Sequence, residues 1–168
     1  MSNEVKFENI LDTYGVLAFT NVGVSMRPLL RQGRDVMVIR KRGPERLKKY
    51  DAVLYKRDNG QYILHRILKV RENDYVIVGD NCRQKEYVRE NQILGVLEQI
   101  KRGGKTVSVT DKGYLFYVHL WCDLFPLRSF LIFCREKIIA VRHMIGEALR
   151  KAGLTPLKLC LTKTYIPW

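Results

Sequence analysis

The chain changes its hydrophobic rhythm twice. Phe7, Ile10, Leu11, Tyr14 and Leu17 recur at helical spacing behind Ser2 and Asn3 as candidate caps, which predicts a short first helix. Between about residues 20 and 110 the apolar positions come in short runs instead. These are DVMVIR at 35–40, DAVLYK at 51–56, QYILHRILKV at 61–70, DYVIVGD at 74–80, QILGVLEQI at 92–100 and KTVSV at 105–109. GPE, RDNG, RENDY and KRGGK separate them, and such Gly, Pro, Asn and Asp clusters favour tight turns. This rhythm predicts a mainly β, antiparallel, partly barrel-like domain. From Gly113 the spacing turns helical again. Tyr114, Phe116, Tyr117, Trp121, Phe125, Phe130 and Phe133 are interleaved there with Arg128, Arg135, Lys137 and Arg142. Pro126 has no backbone N–H and should break the helical run into two helices. The expected organisation is an N-terminal helix over 1–19, a β domain over 20–112 and a basic, aromatic helical extension over 113–168.

Composition narrows the picture modestly. A chain of 168 residues that is 46% hydrophobic can bury a real core. Thirty Lys and Arg against 17 Asp and Glu give a formal charge of +13, which attracts polyanions, either nucleic acid or anionic lipid. The stretch before Ser25 is too short for a helix-turn-helix, which argues against nucleic acid. From Gly113 onward there are eight Lys/Arg and three Asp/Glu. Aromatic and basic residues together suit peripheral contact with an anionic membrane, or a helical cap packed on the β domain; both readings stay open. The start, MSNEVKFEN, lacks a basic region followed by an apolar run, so no signal peptide is expected. No uninterrupted apolar stretch is long enough for a conventional transmembrane helix. The expected location is the cytoplasm or the periphery of a membrane. Cys82, Cys122, Cys134 and Cys160 have neither C-x-x-C nor zinc-finger spacing and read as reduced thiols, with no metal and no cofactor. Nothing in the sequence indicates an oligomeric state.

Three short segments carry candidate chemistry. In Gly23-Val24-Ser25-Met26-Arg27-Pro28, Gly23 permits a sharp bend and close approach of a ligand, and Pro28 fixes the exit of the turn. Ser25 is thereby displayed at a corner where a backbone N–H could meet an oxyanion. Taken alone, a serine near a proline is usually just a turn residue. His65 lies mid-strand in Ile63-Leu64-His65-Arg66-Ile67, on one face with Ile63 and Ile67. Such an imidazole is either a core histidine bonded to backbone or a general base near neutrality. Gly79-Asp80-Asn81 follows the strand DYVIV directly, and Glu86 comes six residues after Asp80. Either carboxylate could orient His65 as the third member of a triad; the plain reading of Glu86 is a solvated loop charge.

The order of these blocks resembles the signal peptidase I superfamily and its relatives, the phage-repressor-type (LexA-like) peptidases. The blocks are G-x-S-M-x-P, a strand carrying Y-D-x-V, a strand carrying H-R-I, then G-D-N, over about Gly23 to Val96. The histidine in His65-Arg66-Ile67 makes the chain similar to the endoplasmic-reticulum and sporulation-type subgroup, where lysine is replaced as base. The resemblance implies a Ser–His pair at Ser25 and His65, the family's Gly-Asp-Asn motif at Gly79, Asp80 and Asn81, and Glu86 as positional candidate for the triad acid. It also implies a LexA/signal-peptidase-type β fold that cleaves a leader or signal peptide bound as an added strand, with small residues near the scissile bond. Gly23, Met26, Pro28, Gly79 and Asn81 would border the substrate, with Met26 lining its pocket. Here Leu29-Leu30 follows the motif proline where Thr-Leu is usual, and Glu stands where Asp is usual at the acid position. The alternative within the same fold is a non-catalytic peptide-binding or repressor-like regulatory protein.

Overall fold

A computed structural model describes residues 6–20 and 22–151. The first helix, α1, spans Phe7–Tyr14 and ends at Gly15, whose φ of 70° lets its N–H return to the Leu11 carbonyl at 3.0 Å. The expected caps Ser2 and Asn3 lie outside the described residues. Leu17 is not helical, contrary to its spacing. The left-handed turn at Gly15 releases the chain into strand β1, Val16–Thr20, and Leu17 enters the core from there.

Seven more strands follow: β2 (Asp35–Lys41), β3 (Ala52–Lys56), β4 (Tyr62–Val70), β5 (Asp74–Val78), β6 (Glu86–Arg89), β7 (Ile93–Arg102) and β8 (Lys105–Ser108). All pair antiparallel in the order β1-β2-β7-β3-β4-β5-β6, with β8 on the end of β7. The mainly β, antiparallel expectation holds. The sheet is open, since β1 and β6 each have one neighbour. Irregular register between Val38 and Ile39, between Leu54 and Tyr55, and between Ile67 and Lys69 bends and twists it.

Alternation along the strands builds two cores. Leu17, Met37, Ile39, Leu54, Leu64 and Leu97 point to one face, where they meet Leu11 of α1. Val53, Tyr55, Ile67, Tyr75, Ile77 and Val88 point to the other. Helix α2, Lys112–Asp123, lays Tyr114, Val118 and Cys122 on the first core at four-residue spacing. After Leu124, α3 runs from Phe125 to Lys151, with Pro126 in its first turn where a missing N–H is harmless. The chain divides into two compact units between Phe125 and Pro126. The boundary expected near 113 therefore falls at the start of α2, which belongs to the unit of the sheet. Among the described residues no helix is long and apolar enough to cross a membrane. Cys122 is buried, Cys82 and Cys134 are half-buried, and Cys160 lies outside the described residues.

A buried ion pair lies beneath α2. Arg66 and Asp80 are both 0% exposed and meet in a bidentate fork, Nε to Oδ1 and Nη2 to Oδ2, each at 2.9 Å. Arg66 Nη1 also donates to the Tyr50 carbonyl at 2.9 Å and to the Tyr114 hydroxyl at 3.0 Å. Tyr117 donates its hydroxyl to Asp80 Oδ2 at 2.9 Å, and Trp121 donates its indole N–H to the Asp80 carbonyl at 2.7 Å. These aromatic residues of α2 thus satisfy polar groups of the sheet. Tyr50 takes a positive φ of 83° to present its carbonyl, a conformation that costs about 1–3 kcal/mol. Removing one partner strands a buried charge. Arg66→Ala should lower the urea-unfolding free energy by about 3–5 kcal/mol, and Arg66→Lys, which lacks the fork, should recover only a fraction of it. A loss below about 1 kcal/mol would place the pair among surface bridges instead.

Candidate active site

Ser25 sits in the long loop between β1 and β2. Gly23 there has φ 98°, a conformation that side chains resist, and its N–H donates to Gln32 Oε1 at 3.3 Å. Two turns follow, closed by Arg27 N–H to the Val24 carbonyl and Leu30 N–H to the Met26 carbonyl. The far end of the loop is fastened by Asp35, buried at the start of β2. Its carboxylate accepts from Arg31 N–H at 2.9 Å and from Arg102 at 3.0 Å, while Arg102 also donates to the Leu29 carbonyl. The loop is therefore held from both sides of Ser25.

His65 is brought to it by strand pairing. Arg66 stands opposite Val78 in the β4–β5 ladder, so His65 stands opposite Gly79. A side chain at residue 79 would collide at 2.7 Å with the Ser25 carbonyl oxygen and at 2.9 Å with His65 Nε2. Two groups so close to one point are neighbours, and only glycine leaves room for both. Asn81 completes the junction. Its N–H donates to the Ser25 carbonyl at 2.7 Å and its side-chain amide to the Val24 carbonyl at 3.2 Å. Ser25 is half-buried, and its hydroxyl makes no hydrogen bond among the described residues, to His65 or otherwise.

The other ring nitrogen is occupied. His65 Nδ1 lies 3.3 Å from Glu86 Oε1 and 3.3 Å from the Tyr55 hydroxyl. The carboxylate accepts, so Nδ1 carries the proton and Nε2 is left as the base. Arg57 grips Glu86 in turn, Nε to Oε2 at 2.8 Å and Nη2 to Oε1 at 2.6 Å. Burial opposes the Glu86 charge, but hydrogen bonds from Arg57 and Tyr55 outweigh it and lower its pKa. The His65 ring is 5% exposed, and burial holds its pKa below the usual value. Glu86 pushes the other way, and the Arg57 charge adds to the lowering. A neutral imidazole with a free Nε2 beside a serine can accept that serine's proton.

Beside Ser25 opens an apolar cleft of about 410 Å³, walled by Phe7, Phe19, Met37, Leu54, Tyr62 and Leu64. β1 supplies Phe19 and β4 supplies Tyr62, and Phe7 of α1 packs between them, with ring centroids 4.9 and 4.6 Å away. No family model matches the chain, and no curated protein does. Among the described residues no group of three His, Cys, Asp or Glu side chains could hold a metal ion.

Ser25, His65, Gly79, Asn81 and Glu86 come together as a unit, with Gly23 shaping the loop. Three expectations need correction. Asp80 is not the residue that orients His65. It is one position from Gly79 and faces the opposite side of the sheet, where Arg66 and Tyr117 hold its carboxylate. Met26 does not line the cleft: the turn after Ser25 drives it into the core, 1% exposed, and Met37 takes the wall instead. Pro28, joined to Arg27 by a cis peptide, borders a separate shallow cleft with Leu29, Arg102 and Tyr117. Tyr55 and Arg57 were not foreseen. Tyr55 shares a face with Val53, the partner of His65, but only the register of β3 against β4 reveals that.

The opposing charges around the ring make a paired prediction for imidazole NMR titration. Arg57→Gln should raise the His65 pKa, and Glu86→Gln should lower it further. If burial alone sets the value, neither substitution will move it.

Proposed function

We propose that this chain is a serine endopeptidase of signal-peptidase type that cleaves an extended peptide, such as a leader or signal peptide. The observation that carries the reading is the approach of the Ser25 main-chain carbonyl and His65 Nε2 to one point beside Gly79, with Glu86 behind the ring. In this reading His65 Nε2 takes the Ser25 proton as the hydroxyl oxygen attacks the peptide carbonyl. The resulting imidazolium is held by Glu86, whose carboxylate Arg57 keeps in place. The Ser25 N–H helps hold the oxyanion. His65 then protonates the leaving amine, and water releases the acyl group by the same route in reverse.

The sheet offers a place for such a substrate. β1 has an unpaired edge, and Phe19 and Thr20 near its end border the cleft beside Ser25. An extended peptide added along that edge would gain ladder hydrogen bonds and place one side chain in the cleft. A second reading is a non-catalytic peptide-binding module of the same fold, and the missing hydrogen bond between the Ser25 hydroxyl and His65 favours it. Catalytic hydrogen bonds often tighten only when substrate is bound, so the first reading is preferred.

Incubation with a mixed peptide library, read by mass spectrometry, separates the two. The enzyme reading predicts cleavage that Ser25→Ala abolishes and His65→Ala lowers by about 10²–10⁴-fold. The Ser25→Ala melting temperature should stay unchanged, because the hydroxyl has no bond to lose. A Ser25→Ala protein that cleaves like the wild type contradicts the reading; peptides retained uncut by the wild type support the binding module. The base acts when neutral, and its pKa lies below 6.5. Activity should therefore persist below pH 6.5 and fall only as the pH drops through that lowered value. An acidic limb above 6.5 would exclude His65 in this environment as the base.

A further inference from the structure

The second unit carries a surface that the peptidase reading does not use. α3 is 27 residues long, and along it Leu127, Phe130, Leu131, Ile138, Val141 and Ile145 recur at three-, four- and seven-residue spacing. At about 100° per residue these six fall in one sector of the helix. Their exposure ranges from 50% to 61%, so the stripe is bare along about 27 Å of helix. A stripe of this length and width is not an isolated exposed leucine, and in water it needs a cover.

The charges indicate what the cover is. By the same geometry Arg135 and Arg142 flank the stripe on one side and Lys137 on the other. Glu136, His143 and Glu147 project from the opposite face, where His143 and Glu147 pair at 3.4 Å. Three cations thus rim the apolar sector and the carboxylates are kept away from it; Arg150 and Lys151 in the last turn lie nearer the opposite face. A docking partner presented as a folded protein groove gives no reason for that segregation. A bilayer with anionic headgroups does: acyl chains receive the stripe, and long Lys and Arg stems reach up to phosphates. No helix among the described residues can span a bilayer, so α3 would lie in its surface.

We infer that α3 is an interfacial helix that binds the chain to anionic lipid. This inference stands independently of the peptidase reading. Each rim cation near a charged surface is worth about a fivefold change in affinity.

The test is co-sedimentation of the full chain with phosphatidylcholine vesicles, with and without phosphatidylglycerol. Wild type should pellet with the anionic vesicles, weaken in high salt and bind neutral vesicles several-fold less. Phe130→Glu with Ile138→Glu should abolish binding to both. Lys137→Gln with Arg142→Gln should lower only the anionic preference. Unchanged circular dichroism would show that each variant keeps its helices, and the charge variant reports even if the stripe variant misfolds. A wild type that pellets with neither vesicle overturns the inference, and so do stripe variants that pellet like wild type. A wild-type dimer that ignores vesicles and dissociates in the stripe variants would assign the stripe to self-association, which also overturns it.

Discussion

The pairing of β4 with β5 organises this molecule, because the strand period of two sends adjacent residues to opposite faces. His65 and Gly79 look one way, toward the Ser25 loop. Arg66 and Asp80 look the other way, under α2. Slipping this register by one residue would turn the arginine toward the Ser25 loop and the imidazole under α2. The buried Arg66–Asp80 fork, closed by Tyr114, Tyr117 and Trp121, resists that slip, since it is satisfied at one register only. The structural pair on one face thereby fixes the chemical pair on the other.

The short motifs acquire distinct physical duties in this arrangement. Gly79 supplies empty space, Asp80 supplies a counter-charge and Asn81 ties the serine loop by two hydrogen bonds. Behind the imidazole, Glu86 and Arg57 form a second layer whose charges oppose one another at the ring. Orientation and basicity of His65 thus depend on residues from three strands and a turn, none of them adjacent in sequence.

Six strands were legible because their apolar runs are short, bounded by turn residues and, as in AVLYK, buried on both faces. β1 was hidden because Leu17 continues the helical spacing of the preceding segment, and only the turn at Gly15 ends it. β6, EYVR, has a single buried residue and no run to notice. The Ser25–His65 meeting could be anticipated from motif order, but the choice between Asp80 and Glu86 could not. It depends on which face Asp80 occupies, and so on register, which a single sequence does not encode locally. Met26 misled for a similar reason: adjacency to Ser25 in sequence says nothing about the direction of the next side chain in a turn. The aromatic extension looked uniform, yet its first helix seals a buried ion pair and the rest forms a separate unit.

The most direct measurement is a crystal structure of the chain with a peptidyl boronate, which mimics the tetrahedral intermediate of acyl transfer. The account predicts boron bonded to the Ser25 hydroxyl oxygen, with His65 Nε2 about 3 Å from the adduct and Glu86 still on Nδ1. An unmodified Ser25, or an adduct with the imidazole turned away from it, would contradict the account.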